Sequence, residues 1–491
     1  MNVTLSHPVS GPTTYTNNAA ANSGRLVSAP IVRFSEIISA LSVALDITQG
    51  HPKGHCMRSC LIGMRISEAL KLPTADRSAL FYALLLKDLG CSSNAAKMAH
   101  LFGADDQQLK HSMRLIDFTS PIQALTHCWK NCAPGGSTIE KLMTMAAIVR
   151  SGAEGGRKIS EIRCERGAEI ARMLQLSEST ARAILDLDEL WNGGGSPCRL
   201  KGTDISLLGR ICGLAQNVEV FFTAYGLNAA CDMARQRRGK WFDPQLVDAL
   251  LGFQHEAEFW NRLNGPDLVA DISRWEPEDA MLLADDDCLD RISEAFARVV
   301  DAKSPWTFLH SSRVAEIAVG ISSQFGCSLG FQQDMRRVGL LHDIGKLGVS
   351  NLILDKPGKP TEEEYAQIRK HAEYSQLILS QVQSFQQLAE VAGGHHERLD
   401  GHGYHRSLAG NEIPFATRIL TVADIYEAMT AKRPYREAME WEQVLQILSK
   451  DAGKGVDPEC LEALRIWLEK RQFESRVESQ LEAIDRLVAE L

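Results

Sequence analysis

The sequence predicts an almost entirely α-helical protein made of two related halves. Apolar residues recur at helical spacing from residue 30 onwards, as in Phe34, Ile37, Ile38, Leu41 and Leu45, whereas the alternation typical of a half-buried strand is weak throughout. Short motifs also occur twice in the same order, which indicates an internal repeat. With 491 residues, the chain is long enough for two or three domains.

The repeat is clearest around His55 and His310. Each histidine follows an apolar run that ends in aspartate, and each lies the same distance before a dipeptide. That dipeptide is Lys87-Asp88 in the first copy and His342-Asp343 in the second. The second part of the repeat aligns residues 189–197 with residues 397–405. The two parts lie further apart in the first copy, so we place an insertion between Asp88 and Arg163.

Residues suited to a divalent metal are concentrated in the second copy. They are His310, His342, Asp343, His371, His395, His396, Asp424 and, less securely, Glu397. Neutral imidazole suits iron, manganese, zinc or nickel, and a carboxylate can bridge two metals. No cysteine stands at these positions, which disfavours a structural zinc site. The set is typical of a catalytic site with open coordination positions.

The first copy has lost most of these candidate ligands. Its equivalent positions are His55, Lys87, Asp88, Arg163, Leu187, Asp188 and Gln216. Ammonium and guanidinium groups have no lone pair to offer and repel a cation. We therefore expect no metal in the first domain. Regulation, dimerisation, ligand sensing and a purely structural role remain open for it.

Breaks in the helical pattern divide the chain into five segments. We predict a flexible arm at 1–29, a helical domain at 30–262, a linker at 263–287, a second helical domain at 288–470 and a terminal helix at 471–491. Apolar residues recur at helical spacing in the last segment. It is therefore expected to pack on the core or to pair between two subunits.

The composition is that of a soluble globular protein, with 44% hydrophobic residues and a net charge of −9. Negative charge argues against broad nucleic-acid binding, which leaves a basic surface. Apolar stretches are shorter than the ~18 residues that span a bilayer, and residues 1–24 lack the apolar core of a signal peptide. We expect a cytoplasmic protein that binds neither nucleic acid nor membrane, with its 12 cysteines reduced and mostly buried.

The ordered motifs of the second copy carry a family resemblance. They are His310-Ser-Ser-Arg-Val, His342-Asp343-Ile-Gly-Lys346, His371, His395-His396-Glu397-x-x-Asp-Gly-x-Gly-Tyr404, Val-Ala-Asp424 and Arg433-Pro-Tyr-Arg436. Together they resemble the HD-GYP family, a branch of the HD phosphohydrolases that hydrolyses cyclic dinucleotides in bacteria. The resemblance is strong over residues 288–470 and extends over about 30–260 only as a degenerate copy. It implies an all-α fold of two tandem HD-type domains.

The resemblance also implies a centre of two divalent metals, iron or manganese. One metal is expected on His310, His342, Asp343 and Asp424, and the other on His371, His395 and His396 with Asp343 bridging. A third metal in some members uses a glutamate where this chain has Trp306, so we expect two. The same resemblance assigns catalysis to Asp343 and Lys346, and substrate binding to Lys346, Tyr404, Arg433 and Arg436. Glu397 is expected to orient a histidine rather than bind metal.

One position departs from the family signature. The signature ends Gly-Tyr-Pro, whereas this chain has Gly403-Tyr404-His405. Loss of the proline removes a constraint on φ and adds an ionisable ring. The candidate metal ligands are unaffected, so hydrolysis is expected to survive. The change bears on loop rigidity, substrate preference and partner docking, and His405 is expected to be exposed rather than a ligand.

The leading functional hypothesis is therefore a phosphodiesterase that opens cyclic di-GMP to the linear dinucleotide and possibly to GMP. The mixed cyclic GMP-AMP dinucleotide is the alternative substrate, since no residue separates guanine from adenine. A receptor that binds without turnover, or a different HD phosphohydrolase, is a further alternative. A second subunit of this chain and a GGDEF-type protein are the candidate protein partners.

Overall fold

The computed structural model describes residues 24–27, 32–265, 267–278, 281–307, 309–432 and 437–489, with no account of the side chains of residues 153 and 474–489. Among these residues the only strands are β1 (Val32–Arg33) and β2 (Leu283–Ala284), which pair antiparallel. Nearly all other regular structure is helical. The all-α prediction is confirmed.

The first half contains thirteen helices among the described residues. They are α1 (Phe34–Thr48), α2 (His55–Ala69), α3 (Thr74–Leu86), α4 (Ala95–Phe102), α5 (Asp106–Arg114), α6 (Pro121–Asn131), α7 (Thr138–Met173), α8 (Glu178–Asp186), α9 (Leu207–Tyr225), α10 (Leu227–Arg237), α11 (Pro244–Gly252), α12 (Ala257–Arg262) and α13 (Leu268–Trp275). Short 3-10 segments lie at Cys91–Asn94 and Gly202–Asp204.

The second half contains nine helices among the described residues. They are α14 (Asp286–Asp301), α15 (His310–Gln324), α16 (Leu329–Leu341), α17 (Asn351–Leu354), α18 (Glu362–Leu379), α19 (Gln386–Gly393), α20 (Phe415–Thr430), α21 (Trp441–Asp451) and α22 (Pro458–Ala489). Its 3-10 segments are Pro305–Thr307, Ile344–Gly348, Gln383–Phe385 and Gly410–Glu412.

The helix order supports the predicted tandem arrangement. Helices α1, α2, α3, α8 and α9 follow one another as α14, α15, α16, α19 and α20 do. One glycine in each half lies equally close to the backbone of a neighbouring helix. A Cβ on Gly90 would lie 1.8 Å from the Arg163 carbonyl oxygen, and one on Gly345 would lie 2.0 Å from that of His371. Both positions therefore need glycine, because the helix behind leaves no room for a side chain.

The predicted insertion between Asp88 and Arg163 forms α4, α5, α6 and the first part of α7. Helix α7 begins with a capping box between Ser137 and Glu140. It breaks at Gly152, where φ is 56° and ψ is −160°. The insertion has a small core of its own, made of Met98, Phe102, Ala104 and Leu109.

Three predicted segments contain structure that the sequence analysis did not assign. The described end of the arm at 1–29 is packed, since Val27 is buried and the Leu26 N–H donates to Asp334 Oδ2 at 2.7 Å. The linker at 263–287 contains α13 and β2. Within the predicted terminal helix at 471–491, residues 471–489 continue α22, which begins at Pro458. For residues 26 and 27 the contacts with Asp334 decide the structure, and a local sequence pattern does not report them.

The two halves share one core. A single cluster of buried apolar residues runs from α1 and α2 to α20 and α22. Helix α1 packs on the Ile344–Gly348 segment and on α18, both of which belong to the second half. None of the described helices combines the length and the apolar character needed to cross a membrane.

Candidate metal centre

Helix ends bring the predicted ligands of the second half together. His310 is the first residue of α15, and His342-Asp343 directly follow α16. His371 lies in α18, His395-His396 follow α19, and Asp424 lies in α20. These helices pack on one another, so residues far apart in sequence meet in one buried cluster.

Three histidines form one side of the cluster. His371 Nε2 lies 3.1 Å from His395 Nε2 and 3.2 Å from His396 Nε2. His371 donates from Nδ1 to the Ile368 carbonyl at 2.6 Å, and His395 donates from Nδ1 to the Ala392 carbonyl. These bonds fix the tautomer and direct each Nε2 lone pair inward.

Two histidines and two carboxylates form the other side. His310 Nε2 lies 3.1 Å from Asp343 Oδ2 and 3.4 Å from Asp424 Oδ1. His342 Nε2 lies 3.3 Å from Asp343 Oδ2 and 3.7 Å from Asp424 Oδ1. The Nδ1 of His342 donates to the Gly339 carbonyl at 2.8 Å, which again leaves Nε2 facing the cluster.

Asp343 lies between the two sides. Its Oδ2 faces His310 and His342, whereas its Oδ1 lies 3.4 Å from His371 Nε2 and 3.8 Å from His395 Nε2. A carboxylate placed in this way can offer one oxygen to each of two ions.

The two sides differ in electrostatics. Burial lowers the pKa of His371 to about 3 and the pKa of His396 to about 4. Burial likewise lowers the pKa of His395 well below its usual value. These imidazoles are therefore neutral at pH 7, which is the form that ligates a metal.

On the other side, burial opposes protonation of His342, but Asp343 and Asp424 outweigh it and raise the pKa of His342 to about 9. The same carboxylates with Glu427 raise the pKa of His310 well above its usual value despite burial. Burial would raise the pKa of Asp343, yet His342 and Lys346 hold it well below its usual range. Opposite charges therefore meet on this side, and a divalent cation bound there would take the place of the imidazole protons.

Buried polar atoms that lack a hydrogen bond indicate whether these histidines and carboxylates suit a metal ion. Among the described residues, His310 Nε2, His342 Nε2 and Asp343 Oδ1 are buried, and although polar atoms lie close to them, none makes a well-directed hydrogen bond. Unsatisfied buried polar atoms are costly and rare. Candidate ligand atoms fall into three groups, each within 4.8 Å: His371 with His395 and His396, His310 with His342 and Asp343, and His342 with His395 and Asp424. The donor set therefore fits divalent cations.

Two glutamates next to the cluster have roles that the sequence analysis did not assign correctly. Glu397, expected to orient a histidine, instead accepts the N–H groups of Arg406 at 2.7 Å and Leu408 at 3.0 Å and so holds the loop after the histidine pair. Glu427 orients a histidine, because it bonds to His310 Nδ1. The repeat carried a signal for this contact, since Glu219 bonds to His55 Nδ1 in the same way.

The predicted substrate-binding residues differ in how close they lie to the cluster. Lys346 forms an ion pair with Asp343 and is partly exposed. The Tyr404 and His396 ring centres lie 4.8 Å apart with the rings tilted by 32°, and the Arg369 guanidinium lies 5.2 Å from the Tyr404 ring centre. Arg433 and Arg436 lie outside the described residues. His405 is half-buried and belongs to none of the three ligand groups.

The equivalent place in the first half is occupied by positive charge. Lys87 Nζ lies 2.8 Å from His55 Nε2 and pairs with Asp88. Arg163, at the position of His371, pairs with Asp188, at the position of His396. The Lys87 ammonium therefore satisfies the same atoms that a cation satisfies in a metal site, which supports the prediction that this half binds none.

The fold and the cluster define a helical protein with a buried, histidine-rich centre whose donor set suits divalent cations. The family model described as "HD domain" matches residues 153–246 and 294–460. The chain belongs to the HD domain family, and the predicted HD-GYP membership is confirmed. The match at 153–246 shows that the first half also carries sequence of this family.

Two relatives bear on the activity. The chain is 42% identical to 3'3'-cGAMP-specific phosphodiesterase 3 of Vibrio cholerae over 431 residues, 88% of this chain and 94% of the relative. It is 36% identical to a cyclic di-GMP phosphodiesterase of Thermotoga maritima over 180 residues, 36% of this chain and 49% of the relative.

A solved structure is similar to this chain over nearly its whole length. The crystal structure of a cyclic GMP-AMP specific phosphodiesterase of V. cholerae superposes with a TM-score of 0.63 and 38% identity. The match covers 90% of this chain and 98% of that one. The similarity therefore includes both halves of the chain.

Proposed function

We propose that the chain is a metal-dependent phosphodiesterase that hydrolyses 3',3'-cyclic GMP-AMP. The observation that carries the proposal is the buried cluster around Asp343, with unsatisfied imidazole nitrogens on one side and neutral imidazoles on the other. Such a cluster is costly unless it serves a ligand, and its donor set suits a divalent metal.

Two ions, iron or manganese, fit the two sides of the cluster. We assign one ion to His310, His342, Asp343 and Asp424 and the other to Asp343, His371, His395 and His396. When bound, a pair of divalent ions supplies positive charge for the phosphate and lowers the pKa of water. Cysteine is absent from the described cluster, which disfavours a structural zinc role.

The chain's own residues then define how an anionic substrate is received. Lys346, at the edge of the cluster, adds a cation close to where a phosphate would lie. The half-buried Tyr404 ring and the exposed Arg369 guanidinium lie beside His396, where a base could contact the ring and a phosphate could pair with the guanidinium. Burial of the histidines keeps water away from the rest of the centre.

The order of substrates differs from the one ranked by sequence. Cyclic di-GMP was the leading hypothesis, with cyclic GMP-AMP as the alternative. The relative that matches nearly the whole chain is cyclic GMP-AMP specific, whereas the cyclic di-GMP relative from T. maritima matches little more than a third of the chain. We therefore place cyclic GMP-AMP first.

The test is to measure hydrolysis of both dinucleotides side by side with iron- or manganese-loaded protein. We expect turnover of cyclic GMP-AMP above that of cyclic di-GMP, and loss of both in Asp343→Ala, since this change removes the carboxylate shared by the two sides. Asp88→Ala, in the first half, is the matched control and should retain turnover if it folds. A metal-loaded protein that binds a dinucleotide without cleaving it would replace the proposal with a receptor function.

A further inference from the structure

Arg369 is an exposed cation at the edge of the candidate metal centre. It lies on α18, two residues before His371. Within the part of the chain that the structure describes, no ion pair joins Arg369 to a carboxylate. Its guanidinium lies over two rings instead, 4.5 Å from the centre of Tyr365 and 5.2 Å from that of Tyr404. We infer that Arg369 binds the phosphate that the reaction leaves intact, so that the site selects substrates with two phosphates. The inference rests on the proposed function.

The two rings hold the guanidinium beside the centre. The Tyr404 ring centre lies 4.8 Å from that of His396, one of the candidate ligands. The guanidinium is therefore no further from the His396 ring than this distance and the 5.2 Å contact together. An aromatic face attracts a cation that lies over it. A guanidinium held in this way loses less freedom when it binds an anion.

Two other cations beside the cluster already have carboxylate partners. Lys346 pairs with Asp343, the carboxylate that lies between the two sides of the cluster. Arg313 lies 3.7 Å from Glu427, which bonds to His310. Lys346 is thus placed for a phosphate that reacts at the cluster. Arg369 has no carboxylate to give up before it binds a second anion, as far as the described residues show.

The chemistry of a cyclic dinucleotide calls for such a second cation. Its two phosphodiester anions lie on opposite sides of one ring, so that only one of them is cleaved at a time. The other keeps its charge throughout the reaction. Arginine suits this group, because its planar fork donates two parallel hydrogen bonds to phosphate oxygens. Since the charge does not change, its binding stabilises the substrate and the transition state equally.

The test compares Arg369→Ala with wild type in metal-loaded, full-length protein. The two substrates are cyclic GMP-AMP and bis(para-nitrophenyl) phosphate, which has a single phosphate. For cyclic GMP-AMP we expect KM to rise about 10- to 100-fold with kcat little changed, because a charge-assisted contact present in both states is lost. The fall in kcat/KM should be about tenfold smaller for the single-phosphate ester. Arg369→Lys keeps the charge without the fork and should give an intermediate KM.

Lys370→Ala is the matched control. Lys370 is the exposed neighbour of Arg369, and successive residues of a helix point about 100° apart. Its removal should leave both substrates cleaved as by wild type. Circular dichroism and metal content, measured by mass spectrometry, check that the variants are folded and equally loaded.

Calorimetric binding of a non-hydrolysable phosphorothioate analogue of cyclic GMP-AMP gives a readout that does not depend on turnover. We expect binding to Arg369→Ala to be about 10- to 100-fold weaker than to wild type. If wild type binds the analogue without cleaving cyclic GMP-AMP, the proposed function fails, whereas weaker binding to Arg369→Ala would still support the inference. Unchanged binding of the analogue, an equal fall in kcat/KM for both esters, or a fall in kcat at constant KM would overturn the inference.

Discussion

At the scale of the residue, the same histidine–glutamate pair serves two purposes. In the second half, Glu427 bonds to Nδ1 of His310, whose Nε2 is left unsatisfied inside the cluster. In the first half, Glu219 bonds to Nδ1 of His55, whose Nε2 meets the Lys87 ammonium instead. The first pair therefore turns a ring nitrogen towards the candidate metal cluster, whereas the second completes a network of protein charges.

This contrast gives a prediction for Glu427→Gln. The amide loses the negative charge that orients and polarises His310, so metal affinity should fall about 10- to 100-fold, as for other carboxylates behind a metal-bound histidine. Metal content after dialysis, measured by mass spectrometry, checks the effect. Glu219→Gln is the matched control and should leave metal content unchanged. Equal metal content in Glu427→Gln and wild type would contradict the role given to Glu427.

Glu219 also predicts how stability depends on pH. Burial would raise its pKa, but His55 and Arg58 outweigh burial and lower the pKa of Glu219 from 4.5 to about 2. A depressed carboxyl pKa stabilises the fold above the unfolded value, and this contribution is lost as pH falls from 4.5 towards 2. The shift corresponds to a contribution on the order of 3 kcal/mol.

The measurement is the thermal unfolding temperature of wild type and Glu219→Gln between pH 7 and pH 3. We expect wild type to be more stable at pH 7 and the gap to narrow below pH 4.5. A gap that stays constant across this range would show that ionised Glu219 does not stabilise the fold.

At the scale of the element, the first half supports the segment that carries Lys346. Gln107, at the start of α5, donates from Nε2 to the Leu347 carbonyl at 2.8 Å. Asp106 accepts the Asn351 N–H at 3.2 Å. The insertion therefore contacts both the Ile344–Gly348 segment and the start of α17, next to the candidate metal cluster.

We predict that Gln107→Ala lowers turnover several-fold. The lost hydrogen bond costs about 1 kcal/mol and lets the Lys346 segment move, whereas the metal ligands are untouched. Gln108→Ala, its exposed neighbour on the same helix, is the matched control. Steady-state kinetics with equal metal loading distinguishes the two variants. Unchanged turnover in Gln107→Ala would mean that the contact between the halves does not support the site.

At the scale of the whole molecule, the shared core predicts cooperative behaviour. Apolar residues of both halves belong to one cluster, and α1 covers the Ile344–Gly348 segment and α18. Separating the halves would expose this surface to water. We expect the full chain to unfold in a single calorimetric transition and residues 280–491 alone to be less stable and less active. Two resolved transitions would contradict this expectation.

Much of the candidate site could be predicted from the sequence. The seven proposed ligands lie in motifs with characteristic spacing, and the structure brings them into one cluster. The partners behind the ligands could not be predicted in the same way. Glu427 was missed and Glu397 was given the wrong role, because these contacts depend on where α20 and the loop at 398–408 pack.

The helical class, the repeat with its insertion, the chemical nature of the ligand set and the family could all be predicted from the sequence. These follow from local periodicity and from residue type, which are written directly in the chain. Only the tertiary structure decided that the two halves share a core, that Gln107 contacts the Lys346 segment and that Lys87 takes the place of a cation. The physical reason is that these contacts join residues distant in sequence, and their energy depends on burial and distance rather than on local pattern.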